Sequence, residues 1–241
     1  MREANRMVAS ILDALAAAVR PGVATIEFEE IARARCKDFD VRPAFLGYQG
    51  FPFALCCSVN EEVVHGFPSK DRVLKEGDIV SFDMGVVHKG FVGDAARTCP
   101  VGRVSEKAAR LLAVTEEALW RGIEQARVGN NVYDISRAVQ VCAESAGFGV
   151  VRRFVGHGVG VRLHEKPEVP NFVPQGLPGV ALKSGMVLAI EPMITEGSYE
   201  VEILADRWTA VNKDRGLAAH FEHSVAVTSD GPEILSLPAR G

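Results

Sequence analysis

Gly77–Thr98 reads GDIVSFDMGVVHKGFVGDAART, and the reading of this stretch decides what the rest of the chain can be. Strand-forming residues flank His88-Lys89-Gly90, which predicts a β-hairpin. With His88 and Lys89 as a two-residue turn, Val87 pairs with Gly90, and counting outward sets Asp83 directly opposite Asp94. Directly opposed residues share a sheet face, with Cβ atoms about 4.5–5.5 Å apart. Two carboxylates that close repel each other and lose solvent, so one stays protonated unless cations intervene. An apolar hairpin with two acids on one face is a candidate metal site. The plainer alternative is two solvated acids on an exposed face.

Outward from the hairpin, the chain repeats itself. Before it, Met7, Val8, Ile11, Leu12, Leu15 and Val19 fall at helical spacing, and Pro21-Gly22 ends the run. Thr25 is expected to cap a second helix with an inner stripe of Phe28, Ile31, Ala32 and Phe39. After Ser105 two further helices are expected, one to about Arg127 and one from Val132 to about Ala146. Arg20 and Gly22 at the first helix junction match Arg127 and Gly129 at the second, an offset of 107. Leu12 then falls on Leu119, Phe28 on Ile135 and Ala32 on Val139. An offset of 108 lays Leu74-Lys75-Glu76-Gly77 on Leu182-Lys183-Ser184-Gly185, and Asp83 on Glu191. Such internal similarity predicts two α/β halves, roughly 1–100 and 105–228, facing each other within one domain spanning 1–241. Halves that each aim an acid at their common interface build a shared site there.

Composition narrows the function classes. A net charge of −4 and no basic run interleaved with aromatics argue against a nucleic-acid site. Five cysteines, an odd number without a CxxC pair, read as reduced thiols, and neither a signal peptide nor a membrane-spanning stretch is evident. The expected compartment is the cytoplasm.

Three more residues extend the acid pair. Glu191 follows Met186-Val-Leu-Ala-Ile and precedes Pro192, which cannot donate to a sheet ladder, so it reads as the end of a buried strand. Glu222 lies in AHFEHSVAVT, again an acid in a strand-like apolar segment. His157 sits in GHGVG, where glycines admit close approach to a bound group. A buried, unpaired carboxylate is costly. Asp83, Asp94, His157, Glu191 and Glu222 together supply four carboxylates and one imidazole, a charge that two divalent cations balance. Oxygen-rich ligands with one His suit Co, Mn, Fe or Zn in an open catalytic site. Two such metals activate water and polarise a carbonyl.

VNEEVVHGFP, DIVSFDMG, GFVGD, GHGVG, LHEKP, IEPM and FEHSVAVT stand in the order seen in methionine aminopeptidases of type I. The chain resembles that family over nearly its whole length. The resemblance implies the α/β pita-bread fold, two pseudo-symmetric halves around a dinuclear metal site, with the five residues above as ligands. It implies that His65, His164 and Glu191 are catalytic, the two histidines contacting substrate. It also implies that Tyr48, Phe51, Cys56 and Trp208 enclose a methionine side chain, which is long, unbranched and polarizable. Leu163 and Phe51 stand where relatives often carry Phe and Tyr. The implied activity is removal of initiator methionine from nascent chains near the ribosome when the second residue is small, by a monomeric enzyme. The alternatives are an X-Pro aminopeptidase or prolidase of the same fold, or a non-catalytic binding module. Glu191 and Glu222 are only 31 residues apart, which leaves little room for the insertion of type II enzymes.

Overall fold

The structure, a computed structural model, describes residues 1–238. Helices α1 (Arg2–Ala18) and α2 (Thr25–Asp38) are followed by strands β1 (Arg42–Pro43), β2 (Leu55–Val59), β3 (Glu62–Val64), β4 (Ile79–His88) and β5 (Phe91–Pro100). Helices α3 (Glu106–Glu124) and α4 (Val132–Ser145) open the second half. Then come β6 (Gly149–Val150), β7 (Gly156–Gly158), β8 (Glu165–Val169), β9 (Val187–Ile190), β10 (Met193–Thr195), β11 (Val201–Ile203), β12 (Ala210–Asn212), β13 (Ala218–His220), β14 (Glu222–Thr228) and β15 (Gly231–Ile234). The main sheet runs β1-β4-β5-β14-β9-β7-β8, with β2 beside β4 and β15 beside β14. The two halves therefore join through β5 and β14, where Glu222 lies opposite Ala96. No helix among the described residues is long and apolar enough to cross a membrane.

Each half has its own core under its own helix pair. Val8, Ile11, Leu15 and Phe28 pack on Phe82 and Met84 in the first, and Leu111, Leu119 and Ile135 pack with Leu188 and Val225 in the second. All of these side chains are fully buried, and each contributes roughly 1.5–3 kcal/mol by leaving water. Phe82 stacks at 4.7 Å on Phe28, so the strand face opposite Asp83 is the one that holds α1 and α2.

The duplication is written into the hydrogen bonds. Leu74 N–H donates to Val23 O at 2.8 Å, and Leu182 N–H donates to Asn130 O at 2.9 Å. Ala24 bridges Val73 just as Asn131 bridges Ala181. Gly77 and Gly185, at φ +94° and +93°, donate at 2.9 Å to Val101 and Val227 respectively. These left-handed positions favour glycine because a Cβ there is strained.

Two expectations are corrected. The hairpin turn is Lys89-Gly90, not His88-Lys89, and His88 pairs with Phe91. Lys89 and Gly90 both have positive φ (50° and 80°), the backbone of a type I′ turn. Moving the turn by one residue shifts the register by two, so Asp83 faces Ala96 while Asp94 faces Gly85. The acids remain on one face because the side-chain period is two, but they are diagonal neighbours rather than direct opposites. The second correction is Thr25, which is the first helical residue rather than the cap. Its hydroxyl is engaged by Ser69, and the Ala24 N–H is instead satisfied by the Glu27 carboxylate at 2.9 Å.

Candidate metal centre

The hairpin delivers Asp83 and Asp94, and β14 opens on Glu222. One oxygen from each lies within 4.8 Å of the others. Glu191 follows the last residue of β9, and His157 is the middle residue of β7. His157 Nε2 stands 3.4 Å from Glu191 Oε1 and 3.8 Å from Asp94 Oδ2. All five residues proposed from the sequence as ligands thus converge where the halves meet.

Their surroundings demand a cation. Asp83 Oδ1, Asp94 Oδ1 and Glu222 Oε1 are buried without a hydrogen-bond partner, an expensive state for a carboxylate. Burial pushes the Asp83 carboxyl up to about 7. It drives Asp94, Glu191 and Glu222 well above the carboxylate range, with neighbouring carboxylates adding to the effect. His157 shows the same mismatch. Its Nδ1 lies 2.9 Å from Gly158 O, so Nδ1 carries the proton and Nε2 turns a lone pair toward the acids. Burial holds its pKa down at about 4, so it does not become the missing cation by protonation. A lone pair and three orphan carboxylate oxygens aimed at one point fit a divalent metal.

The carboxylates are held from behind. Asp94 is gripped on both sides of its peptide: its N–H donates to Asn5 Oδ1 at 3.2 Å, and its carbonyl accepts from Ser224 Oγ at 2.8 Å. Helix α1 comes this close because residue 93 is glycine; a Cβ there would lie 2.6 Å from the Ala4 carbonyl carbon. Asn171 Nδ2 donates to the Glu191 carbonyl at 2.9 Å. Sequence reasoning missed Asn5, although a polar residue on the inner face of an otherwise apolar helix was a readable signal. It also missed His220, fully buried, with Nε2 3.7 Å from Glu191 Oε2.

Beside the acids lies a cavity of about 320 Å³ that Tyr48, Phe51, Cys56, His65, His164 and Trp208 help to line. Phe51 meets Trp208 edge-on at 5.1 Å, and His65 meets Trp208 at 6.1 Å. His65 has φ +61°, a left-handed backbone unusual for a side chain with a Cβ. Burial depresses its pKa to about 4, so it is a neutral imidazole. Cys56 is buried and its thiol is pushed well up, first by burial and then by Asp83, so it is a neutral wall. Tyr48 Oη lies 2.6 Å from His164 Nδ1, and the His164 ring meets that of His157 at 4.3 Å.

A model of metallopeptidase family M24 matches residues 1–229. The chain belongs to metallopeptidase family M24. Within it, the chain sides with the bacterial methionine aminopeptidases. It is 49% identical to the methionine aminopeptidase of Clostridium acetobutylicum, over 98% of this chain and 94% of that protein. A crystal structure of the Thermotoga maritima methionine aminopeptidase superposes with a TM-score of 0.96 at 46% identity, covering 98% of this chain and 95% of the other. The prolidase of Pyrococcus furiosus shares the fold alone, with a TM-score of 0.78 at 23% identity over 99% of this chain and 63% of the other. This M24 chain is a metal-dependent hydrolase with the pita-bread fold.

Proposed function

We propose that this enzyme removes an N-terminal methionine from polypeptides whose second residue is small, acting in the cytoplasm on nascent chains and as a monomer. The observation that carries the reading is the set of five converging donors, three of them orphaned, beside a cavity walled by Phe51, Cys56 and Trp208. Four carboxylates and a neutral imidazole suit two divalent metals, Co, Mn, Fe or Zn, with Asp83, Asp94, His157, Glu191 and Glu222 as the ligands. Bound there, the metals supply Lewis-acid activation of the peptide carbonyl and of the water that hydrolyses it.

The protein's own groups do the rest. Phe51, Cys56 and Trp208 enclose the first side chain, which an unbranched, polarizable methionine fills without strain. With Tyr48 donating to Nδ1, His164 carries its proton on Nε2 and donates to the carbonyl oxygen as charge builds there. His65, neutral and fixed by its unusual backbone, contacts the scissile amide from the opposite wall. Glu191 is the carboxylate that takes a proton from water and passes it to the leaving amine.

A peptide panel tests this. Met-Ala and Met-Gly peptides should be cleaved, and N-acetyl-Met-Ala, Met-Arg and Ala-Pro peptides should not. Preferential cleavage of Ala-Pro would transfer the chain to the X-Pro hydrolases of the same fold. Metal analysis of protein purified without added metal should return about two divalent ions per chain.

A further inference from the structure

A second groove, about 410 Å³, adjoins the metal cavity and shares Tyr48, Leu163 and His164 with it. Its walls include Leu46, Val87 and Val92, and Val161 stands 69% exposed at its edge. Arg42 and Arg162 line it as well, and neither side chain makes an ion pair among the described residues. Glu165, the first residue of β8, is turned instead onto the backbone N–H of Arg162 at 2.8 Å. The β7–β8 connection that carries Arg162 is fixed to the hairpin, since Val92 N–H donates to Gly160 O at 2.8 Å. Two free guanidinium groups therefore flank a preformed apolar trough in a molecule whose net charge is −4.

The direction of the substrate connects this trough to the reaction, and the step rests on the proposed peptidase activity. The first side chain enters the Phe51–Trp208 pocket, and the scissile carbonyl lies by His164. A chain that leaves past the Tyr48–His164 pair, the wall common to both spaces, runs into the trough. An extended peptide advances about 3.3 Å per residue, so the trough meets the third and following residues. We infer that this groove binds the substrate downstream of its second residue and favours chains with acidic side chains there. Arginine suits that role because its planar fork takes a carboxylate through two parallel hydrogen bonds.

The test compares three peptides that differ only after Met-Ala: Met-Ala-Asp-Glu-Gly, Met-Ala-Ser-Gln-Gly and Met-Ala-Lys-Lys-Gly. With exposed ion pairs at both arginines, KM should rise by about fivefold from the acidic to the basic peptide. The spread should shrink at about 0.5 M salt, where charges this exposed are screened. In the double variant Arg42→Glu/Arg162→Glu the order of the three peptides should invert. Equal KM values in the unaltered enzyme would overturn the inference while leaving the peptidase reading intact. So would an acidic preference that persists in a folded double variant. Failure to cleave any of the three would overturn the reading beneath it.

Discussion

The two halves solve the same problem differently. In the first, Asp83 and its partner Ala96 are joined by a tight hairpin with the Lys89-Gly90 turn at its tip. In the second, Glu191 and Glu222 occupy the equivalent strand positions, but β10–β13 intervene between β9 and β14. The strand geometry that aims carboxylates at the interface is kept in both. The excursion in the second half carries Trp208, which closes the side-chain pocket. The acids Asp83 and Glu191 thus come from matching places in the two halves, whereas the pocket walls do not: Tyr48, Phe51, Cys56 and His65 come from the first half, and His164 and Trp208 from unrelated places in the second.

If that division holds, Asp83→Asn and Glu191→Gln should fail alike. Each leaves a site with one carboxylate fewer, and each should lower kcat by about 10³ or more, by loss of the metal chemistry itself. Metal content measured on the purified variants should fall in both. Because Glu191 also carries the proton, metal content is the deciding readout: loss of metal from one variant but not the other would show that the halves contribute unequally.

His164 lies on the asymmetric side. His164→Ala should lower kcat by about 10²–10³, the range for removing one donor to a developing oxyanion, with metal content unchanged. Tyr48→Phe should give a smaller loss, because the His164 ring stays in place while its tautomer is no longer fixed. Loss of metal from His164→Ala would instead make this residue part of the symmetric site.

How much of this was legible in the sequence follows the same line. The repeat, the helix pairs and the five converging donors were readable because they depend on periodicity and on acids set in apolar strands. The hairpin face was read correctly from a turn placed one residue off, since a register change of two preserves the face. What stayed hidden depends on contacts across the chain. The Tyr48–His164 bond joins residues 116 apart, and the left-handed backbone of His65 has no local signature. Thr25 had the chemistry of a cap, but Ser69, distant in sequence, claimed its hydroxyl.

Without metal, the crowded acids should make stability depend on pH. The Asp83 carboxyl is pushed up to about 7, and Asp94, Glu191 and Glu222 rise further above their ordinary range. A carboxyl that holds its proton more tightly when folded stabilises the fold below its unfolded value near ~4, and that contribution is lost as pH climbs through the folded value. The histidines run the other way. His65, His157 and His223 are depressed to about 4 and His220 to about 3, so they raise stability with pH only until the unfolded imidazoles lose their protons at about 6.5, and beyond that their opposing slope fades. Metal-free protein should therefore melt at progressively lower temperature between about pH 6.5 and 8.5. Divalent metal should raise Tm more at the upper end. A flat profile would mean that the acids of the two halves do not share one buried site.

The smallest effect probes the most local difference between the halves. By the offset that lays Leu12 on Leu119, Asn5 corresponds to Leu112. Helix α1 thus presents a carbonyl oxygen to the peptide of a metal-binding acid where α3 presents an apolar side chain. Asn5→Leu makes the first half resemble the second at this point and leaves the buried Asp94 N–H without its acceptor. An unsatisfied buried donor costs about 1–3 kcal/mol, and chemical denaturation should register that loss. Ser224 still holds the Asp94 carbonyl, so the carboxylate should loosen rather than swing away. Metal affinity measured by calorimetry should then fall by about 10-fold, the lower end for disturbing a ligand's support. A variant that loses stability but binds metal with unchanged affinity would show that Asn5 anchors the helix alone and does nothing for the site.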